Sequence, residues 1–311
     1  DTFGMSSIPA YYSSIPEADL ATFIAGIQSR RFGEHVSVNT QQTGFVGSRL
    51  VLTEPAAKIW PRMLHEALKS ASRRSQGWAD EWRAQRNHLA AALCACTGHR
   101  PEDALGRIFL GDVIPEYGLI ILQDKQVDAL RASRIAATGR LWLSDLRRYL
   151  DRLNEIAKER SGLAEGKLAA AILRNEEPLF SAPALDGRPT RMTAAALRHE
   201  MPPEFQAVDN FFRHRLNQRL LAYRVEPELR HAQLGWVVSP AHLHSDLSPR
   251  APTDMSRILG PVIDELLVAD GWYLPSARKT RWTWVGIPMP PPVDWNASFA
   301  AHKRRQEGEL K

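Results

Sequence analysis

The chain has 311 residues, of which 44% are hydrophobic and 24% are charged, so it can bury the core of one large or two modest domains. Its 40 basic and 35 acidic residues give a net charge of +5, which is compatible with a polyanionic partner without requiring one. The sequence has no apolar run of about 18 residues that would predict a transmembrane helix, and no signal-peptide pattern, so we expect a cytoplasmic protein that does not enter membranes.

Hydrophobic spacing predicts a mainly α-helical chain with one small β-sheet. A short β-type run at 118–123 is expected to pair with 133–136, and 178–189 is predicted to be a loop. We divide the chain into an N-terminal helical part at 1–76 (all or part of a DNA-clamping domain), a larger domain at 77–285 and a Pro-rich tail at 286–311. The main predicted helices are 58–71, 78–96, 144–157, 168–173, 193–199, 204–223, 226–234 and 256–269.

Cys94 and Cys96 lie in an apolar stretch of a predicted helix. Because residues two apart on a helix point to different faces, a disulfide between them is not expected. No further ligands stand nearby for zinc, so we predict two reduced core residues and neither a metal nor a cofactor.

Two arginine-bearing segments are the most informative feature of the sequence. The first is Thr97-Gly98-His99-Arg100, at a break between two predicted helices, and the second is Phe211-Phe212-Arg213-His214, inside a later helix that precedes Leu234-Gly235-Trp236. The planar guanidinium group donates two parallel hydrogen bonds to phosphate oxygens. Two such groups from remote segments therefore predict a site that holds one phosphodiester from two sides.

The order of these segments, from about residue 78 to about residue 272, resembles the catalytic domain of the tyrosine recombinases, or phage-type integrases. The resemblance implies a recombinase-like fold, in which Arg100 and Arg213 are the paired catalytic arginines and Asp103 is the buried acid. It also implies that Lys125 is the lysine of a β-hairpin and that Trp236 stands at the last position of the Leu-Gly-His element. In that family a tyrosine attacks the DNA phosphodiester, and the arginines stabilise the charge that develops on the phosphate oxygens.

The chain departs from the family pattern at two positions. Asn210 stands where the second box has histidine, and an amide cannot exchange a proton near neutral pH. The nucleophile is expected eight or nine residues after Trp236, where this chain has His244 and Ser245 instead of tyrosine. The resemblance therefore implies a degenerate recombinase without its own nucleophile.

We accordingly expect the protein to bind double-stranded DNA in the site-specific recombination or integration of a mobile element, associated with the nucleoid. Its expected partners are DNA and an active recombinase, or further copies of itself on DNA. A competing hypothesis is an active recombinase that uses Tyr273, or a tyrosine from another chain, as an unconventional nucleophile.

The sequence is also compatible with a metal site or with an interaction scaffold. The run His242-Leu243-His244-Ser245-Asp246 has the residue types of a metal site, although it lies between prolines and lacks a strand pattern. In an interaction scaffold with no DNA role, Arg100 and Arg213 would be structural ion-pair partners of Glu102 and Asp103.

Overall fold

The computed structural model describes residues 57–72, 78–100, 105–123, 133–184, 188–201, 211–235 and 252–273. Over these ranges the protein is mainly helical with a small antiparallel sheet, which confirms the predicted class. The helices are α1 (Ile59–Ser72), α2 (Trp78–Thr97), α3 (Arg140–Glu159), α4 (Ala164–Leu173), α5 (Ala194–Glu200), α6 (Phe211–Ala222), α7 (Pro227–Leu234) and α8 (Pro252–Ala269). The strands are β1 (Val113–Ile114), β2 (Leu119–Gln123), β3 (Ser133–Ala137), β4 (Ser181–Pro183) and β5 (Pro189–Arg191).

The sheet of β1, β2 and β3 is antiparallel, with β2 in the middle. Strand β2 pairs with β3 in a register that runs from Leu119 opposite Ala137 to Gln123 opposite Ser133, which confirms the predicted pairing. The side chains from Leu119 to Leu122 are all fully buried. Because both faces of β2 are covered, the strand has a continuous apolar run instead of an alternating pattern.

A second sheet pairs β4, which lies in the segment predicted to be a loop, with β5, which begins at the last residue of that segment, so the loop prediction was wrong at 181–183. The last pair of its register joins Pro183 with Pro189. Proline has no N–H for a ladder and is typical of turns, which is why this segment resembles a loop in sequence. Both strands of a two-stranded sheet are edge strands, where proline is tolerated.

Helix α2 runs through the centre of the core. Its buried residues include Leu89, Leu93, Cys94 and Cys96, and both cysteines are free, as predicted. Burial raises the pKa of both thiols, so neither is a reactive thiolate near neutral pH. In the described part of the chain, no helix is both long and apolar enough to cross a membrane.

Helix α1 packs into the same core as the helices that follow it. The ring of Trp60 lies 5.5 Å from that of Phe212 and 5.8 Å from that of Trp272, measured between centroids. The predicted domain boundary at residue 76 therefore falls after a helix that shares its core with α6 and with the turn after α8.

Candidate functional site

Three segments that are remote in sequence meet around Gly98, the residue after α2. A Cβ atom added at Gly98 would lie 2.8 Å from Cδ2 of Leu234 and 3.4 Å from Cα of Arg213. The φ angle of Gly98 is +64°, a left-handed conformation that glycine adopts without strain and that ends helices. The segment that carries Arg100 therefore begins in direct contact with the backbone of Arg213 and the side chain of Leu234.

The side chain of Arg213 reaches the C-terminal end of α7. Its guanidinium donates a hydrogen bond to the backbone oxygen of Leu234, and only 6% of the residue is exposed. The next residue, Gly235, closes the helix in the left-handed conformation. The last carbonyls of a helix lack helical partners and lie at the negative end of its dipole, so a cation is favourable there. This contact fixes the Arg213 guanidinium beside the residue pair that precedes Trp236.

A second buried arginine, Arg134 on β3, joins the ends of α2 and α7. One of its nitrogens donates to the backbone oxygen of Thr97 over 3.1 Å, and another donates to the backbone oxygen of Gln233. The residue is 3% exposed. The C-terminal ends of two helices are thus held together by one guanidinium group.

The side chain of Gln233 connects the same three elements. Its amide nitrogen donates to the backbone oxygens of Cys96 and Ala137, each over 2.8 Å. Its oxygen accepts a hydrogen bond from the backbone N–H of Ala137 over 2.9 Å. Each interaction satisfies a buried polar group that burial without a partner would penalise.

The structure brings the segments of Arg100 and Arg213 together and does not describe the other predicted site residues. Arg100 is half-buried and follows the end of α2 by three residues, in the segment that contacts Arg213. The remaining predicted site residues lie outside the described residues, in connections next to described elements: Lys125 between β2 and β3, Asn210 before α6, Trp236 after Gly235, and His244 between α7 and α8.

The hypotheses of a metal site and of structural ion pairs depend on residues in the same connections. Glu102, Asp103 and the run from His242 to Asp246 all lie outside the described residues. Within the ranges that the structure describes, no group of His, Cys, Asp or Glu side chains could hold a metal ion.

Tyr273, the residue considered above as an unconventional nucleophile, follows α8 and is buried. It is 5% exposed, and its hydroxyl donates to Oδ2 of Asp145 over 3.3 Å. Nδ1 of His88 lies 3.0 Å from the same oxygen. Burial, and then the negative charge of Asp145, raise the pKa of the Tyr273 hydroxyl well above its ordinary value. A hydroxyl that is neither exposed nor easily ionised is poorly placed to attack DNA.

Helix α6 also carries two arginines with a different role. Arg215 and Arg219 both bind the carboxylate of Asp270, at 2.7 Å and 2.6 Å. Burial alone would raise the pKa of Asp270, but the hydrogen bonds and charges of the two arginines outweigh burial and lower it. These arginines join α6 to the residue that follows α8, whereas Arg213 bonds the backbone at the end of α7.

The end of α2, β3, Arg213 and the end of α7 meet in what we call the junction. Of its residues, Arg134 and Gln233 were not singled out by the sequence pattern. Each is a long polar residue with apolar neighbours: Arg134 precedes Ile135-Ala136-Ala137 in β3, and Gln233 stands between Ala232 and Leu234 at the end of α7. A long polar side chain in such a place signals a buried hydrogen-bonding role. That signal does not reveal the partners, because they come from another helix or strand.

No protein-family model, curated protein or solved structure matches this chain. The resemblance to tyrosine recombinases therefore stays a prediction from the arginine-bearing segments and their order along the chain.

Proposed function

We propose that this protein binds double-stranded DNA by gripping backbone phosphate with Arg100 and Arg213, as a tyrosine-recombinase-like protein without its own nucleophile. Its role is in the site-specific recombination or integration of a mobile element. The observation that carries the proposal is the contact of Gly98 with both Arg213 and Leu234. Segments that were singled out for phosphate chemistry are neighbours in space.

The chemistry of the junction suits phosphate. A guanidinium group has five N–H donors in a rigid fork, so one such group can bond a backbone oxygen, as Arg213 bonds the Leu234 oxygen, and an anion together. A side chain that is already held in place loses little conformational freedom on binding. Arg100 is less buried than Arg213 and follows the end of another helix, α2. Two cations on different elements can clasp one phosphate from two sides.

Lys125, Asn210 and Trp236 complete the phosphate site in this proposal. Each adjoins, in sequence, an element that takes part in the junction: the β2–β3 hairpin, the start of α6 and the end of α7. Their ammonium, amide and indole N–H groups are all hydrogen-bond donors, as phosphate requires.

The proposal favours DNA binding over strand cleavage by this chain alone. The position expected for the nucleophile is occupied by His244, and the buried Tyr273 donates its hydroxyl hydrogen bond to Asp145. An active recombinase partner would then supply the attacking tyrosine, or copies of this protein would assemble on DNA without cutting it.

The test is the affinity for a random-sequence DNA duplex, measured by fluorescence anisotropy over a series of salt concentrations. For the wild type we expect the affinity to fall steeply with salt, because phosphate contacts release counterions. Arg100→Ala should weaken binding by about 1–3 kcal/mol and reduce the salt slope by about 1. Arg213→Lys keeps the charge but loses the planar fork, and should weaken binding as well.

Arg174→Ala is the matched control. Arg174 is an exposed arginine after α4 that pairs with Glu176 at 2.7 Å, so this variant makes the same change in charge away from the proposed site. If wild-type binding is absent or independent of salt, or if Arg100→Ala and Arg174→Ala behave alike, the phosphate site is refuted. Those results would favour the interaction scaffold.

A further inference from the structure

We propose that Arg134 is a positioning residue that sets the location of the Arg100 segment relative to Arg213. It acts through the C-terminal ends of α2 and α7 and does not itself touch DNA. The effect of Arg134 on DNA binding rests on the function proposed above, whereas its effect on the position of the Arg100 segment does not.

The two carbonyls that Arg134 binds stand next to the two arginine segments. Thr97 is the last residue of α2 and stands three residues before Arg100. Gln233 stands one residue before Leu234, whose backbone oxygen accepts a hydrogen bond from Arg213. A continuous chain of contacts therefore runs from the Arg100 segment through Arg134 to the Arg213 guanidinium.

The turn after α2 is held tightly, so it cannot absorb a displacement of the helix end. Gly98 is in the left-handed conformation and has no room for even a methyl group beside Leu234. Thr97 folds its hydroxyl back onto the backbone oxygen of Leu93 and accepts the N–H of His99. Because interiors are close-packed, a shift of the α2 end would be transmitted along the chain to Arg100.

Arg134 is suited to this role by burial and chemistry. It is 3% exposed on the strand that pairs with β2, so its guanidinium is shielded from solvent. A flat group with several donors can bond two carbonyls on different helices at once, which lysine cannot do with the same geometry. Gln233 supports the arrangement through Cys96 and Ala137, whereas Arg134 binds the Thr97 oxygen.

The experiment is amide hydrogen exchange of the full chain, read for the peptide that covers 97–100. We expect Arg134→Met to speed exchange in this peptide by about tenfold or more, and Arg134→Lys by less, while peptides from α3 and α4 change little. Arg83→Met is the matched control, because Arg83 also donates to a remote backbone oxygen, that of Pro183, over 3.1 Å. It should leave the 97–100 peptide unchanged.

Unchanged exchange at 97–100 in both Arg134 variants would overturn the inference. So would acceleration of equal size in every helix, because that would show a general loss of stability and no local role. Arg134→Lys keeps the positive charge and guards against a failure of Arg134→Met to fold.

A double-mutant cycle on duplex binding then tests the consequence for function. Arg134→Lys should weaken binding by about three- to tenfold in the wild-type background and by less than about twofold when Arg100→Ala is already present. In the background of Arg174→Ala, the two effects should simply add. Additivity with Arg100→Ala would overturn a positioning role in binding. A wild type that does not bind DNA would refute the proposed function, while the exchange result would still decide whether Arg134 holds the Arg100 segment.

Discussion

The guanidinium of Arg213 donates a hydrogen bond to the backbone oxygen of Leu234, the last residue of α7. This single contact joins the second arginine segment to the residues that precede Trp236. Gly98 packs against both residues, which brings in the segment of Arg100. Substitutions at this junction, and in the core that supports it, should therefore have measurable effects.

Gly98→Ala should lower the free energy of unfolding by about 1–3 kcal/mol. The added methyl would lie 2.8 Å from Leu234 Cδ2, at a φ of +64° that alanine rarely adopts. Urea unfolding followed by circular dichroism would measure the change. Gly162→Ala is the control, because a Cβ at Gly162 meets nothing within 4 Å. Equal stability of the two variants would show that the α2 end is not packed as described.

Asp270→Asn should reduce the free energy of unfolding by about 3–5 kcal/mol near neutral pH, since it deprives one buried and one partly buried arginine of their shared carboxylate. Arg215 and Arg219 both lose an ion pair in this variant. Asp254→Asn is the control, because Asp254 and Arg257 form an exposed pair and should lose little. A small effect of Asp270→Asn would mean that the α6–α8 contact adds little to stability.

The same carboxylate should make stability depend on pH. The pKa of Asp270 is lower in the folded protein than in the unfolded chain, so the unfolded chain binds the proton more readily. Its contribution is therefore present above the unfolded pKa of about 3.9 and is lost as pH falls through the lower folded pKa. Urea unfolding between about pH 2.5 and 6 should show a shallower acid decline for Asp270→Asn than for the wild type. Identical slopes would contradict the lowered pKa.

Tyr149→Phe should cost about 1–3 kcal/mol of stability, because it removes two buried hydrogen bonds. The Tyr149 hydroxyl accepts from Nε1 of Trp82 over 3.0 Å and donates to the backbone oxygen of Leu179 over 3.2 Å. Thermal unfolding would measure the loss. Tyr223→Phe, at a residue that is 43% exposed, should leave the melting temperature nearly unchanged.

Nicked duplexes of random sequence should yield no covalent protein–DNA adduct on denaturing gels. Tyr273 is buried against Asp145 and its pKa is raised, so it is a poor nucleophile. An adduct that forms with the wild type and disappears with Tyr273→Phe would establish an active recombinase. An adduct that persists in Tyr273→Phe would point to a different nucleophile in this chain.

Local patterns were sufficient for most of the elements. The helix predicted at 78–96 is Trp78–Thr97, and the strand predicted at 118–123 is Leu119–Gln123 with its expected partner. These predictions succeeded because helical spacing and short apolar runs between turn residues are local properties. The ribbon of β4 and β5 was missed because its prolines resemble a loop.

For the site, the sequence drew attention to Arg100 and Arg213 but could not reveal what surrounds them. The sequence did not point to Arg134 and Gln233 because their partners are the backbone oxygens of Thr97 and Cys96. Every residue has a backbone oxygen, so the sequence does not show which of them a side chain will bind. The structure identifies these two carbonyls as partners because α2 ends beside Arg134 and Gln233. Tyr273 could likewise be judged only from its burial against Asp145.

The sequence alone determined the helical class, the hairpin pairing, the free core cysteines and the presence of two arginine segments with a candidate chemistry. Only the tertiary structure decided that those segments are neighbours, that Arg134 and Gln233 tie two helix ends together, and that Tyr273 is buried. The physical reason is the range of the interactions. Propensity and periodicity act within a few residues of the chain, whereas hydrogen bonds at helix ends join groups about 100 residues apart, such as Arg134 and Gln233.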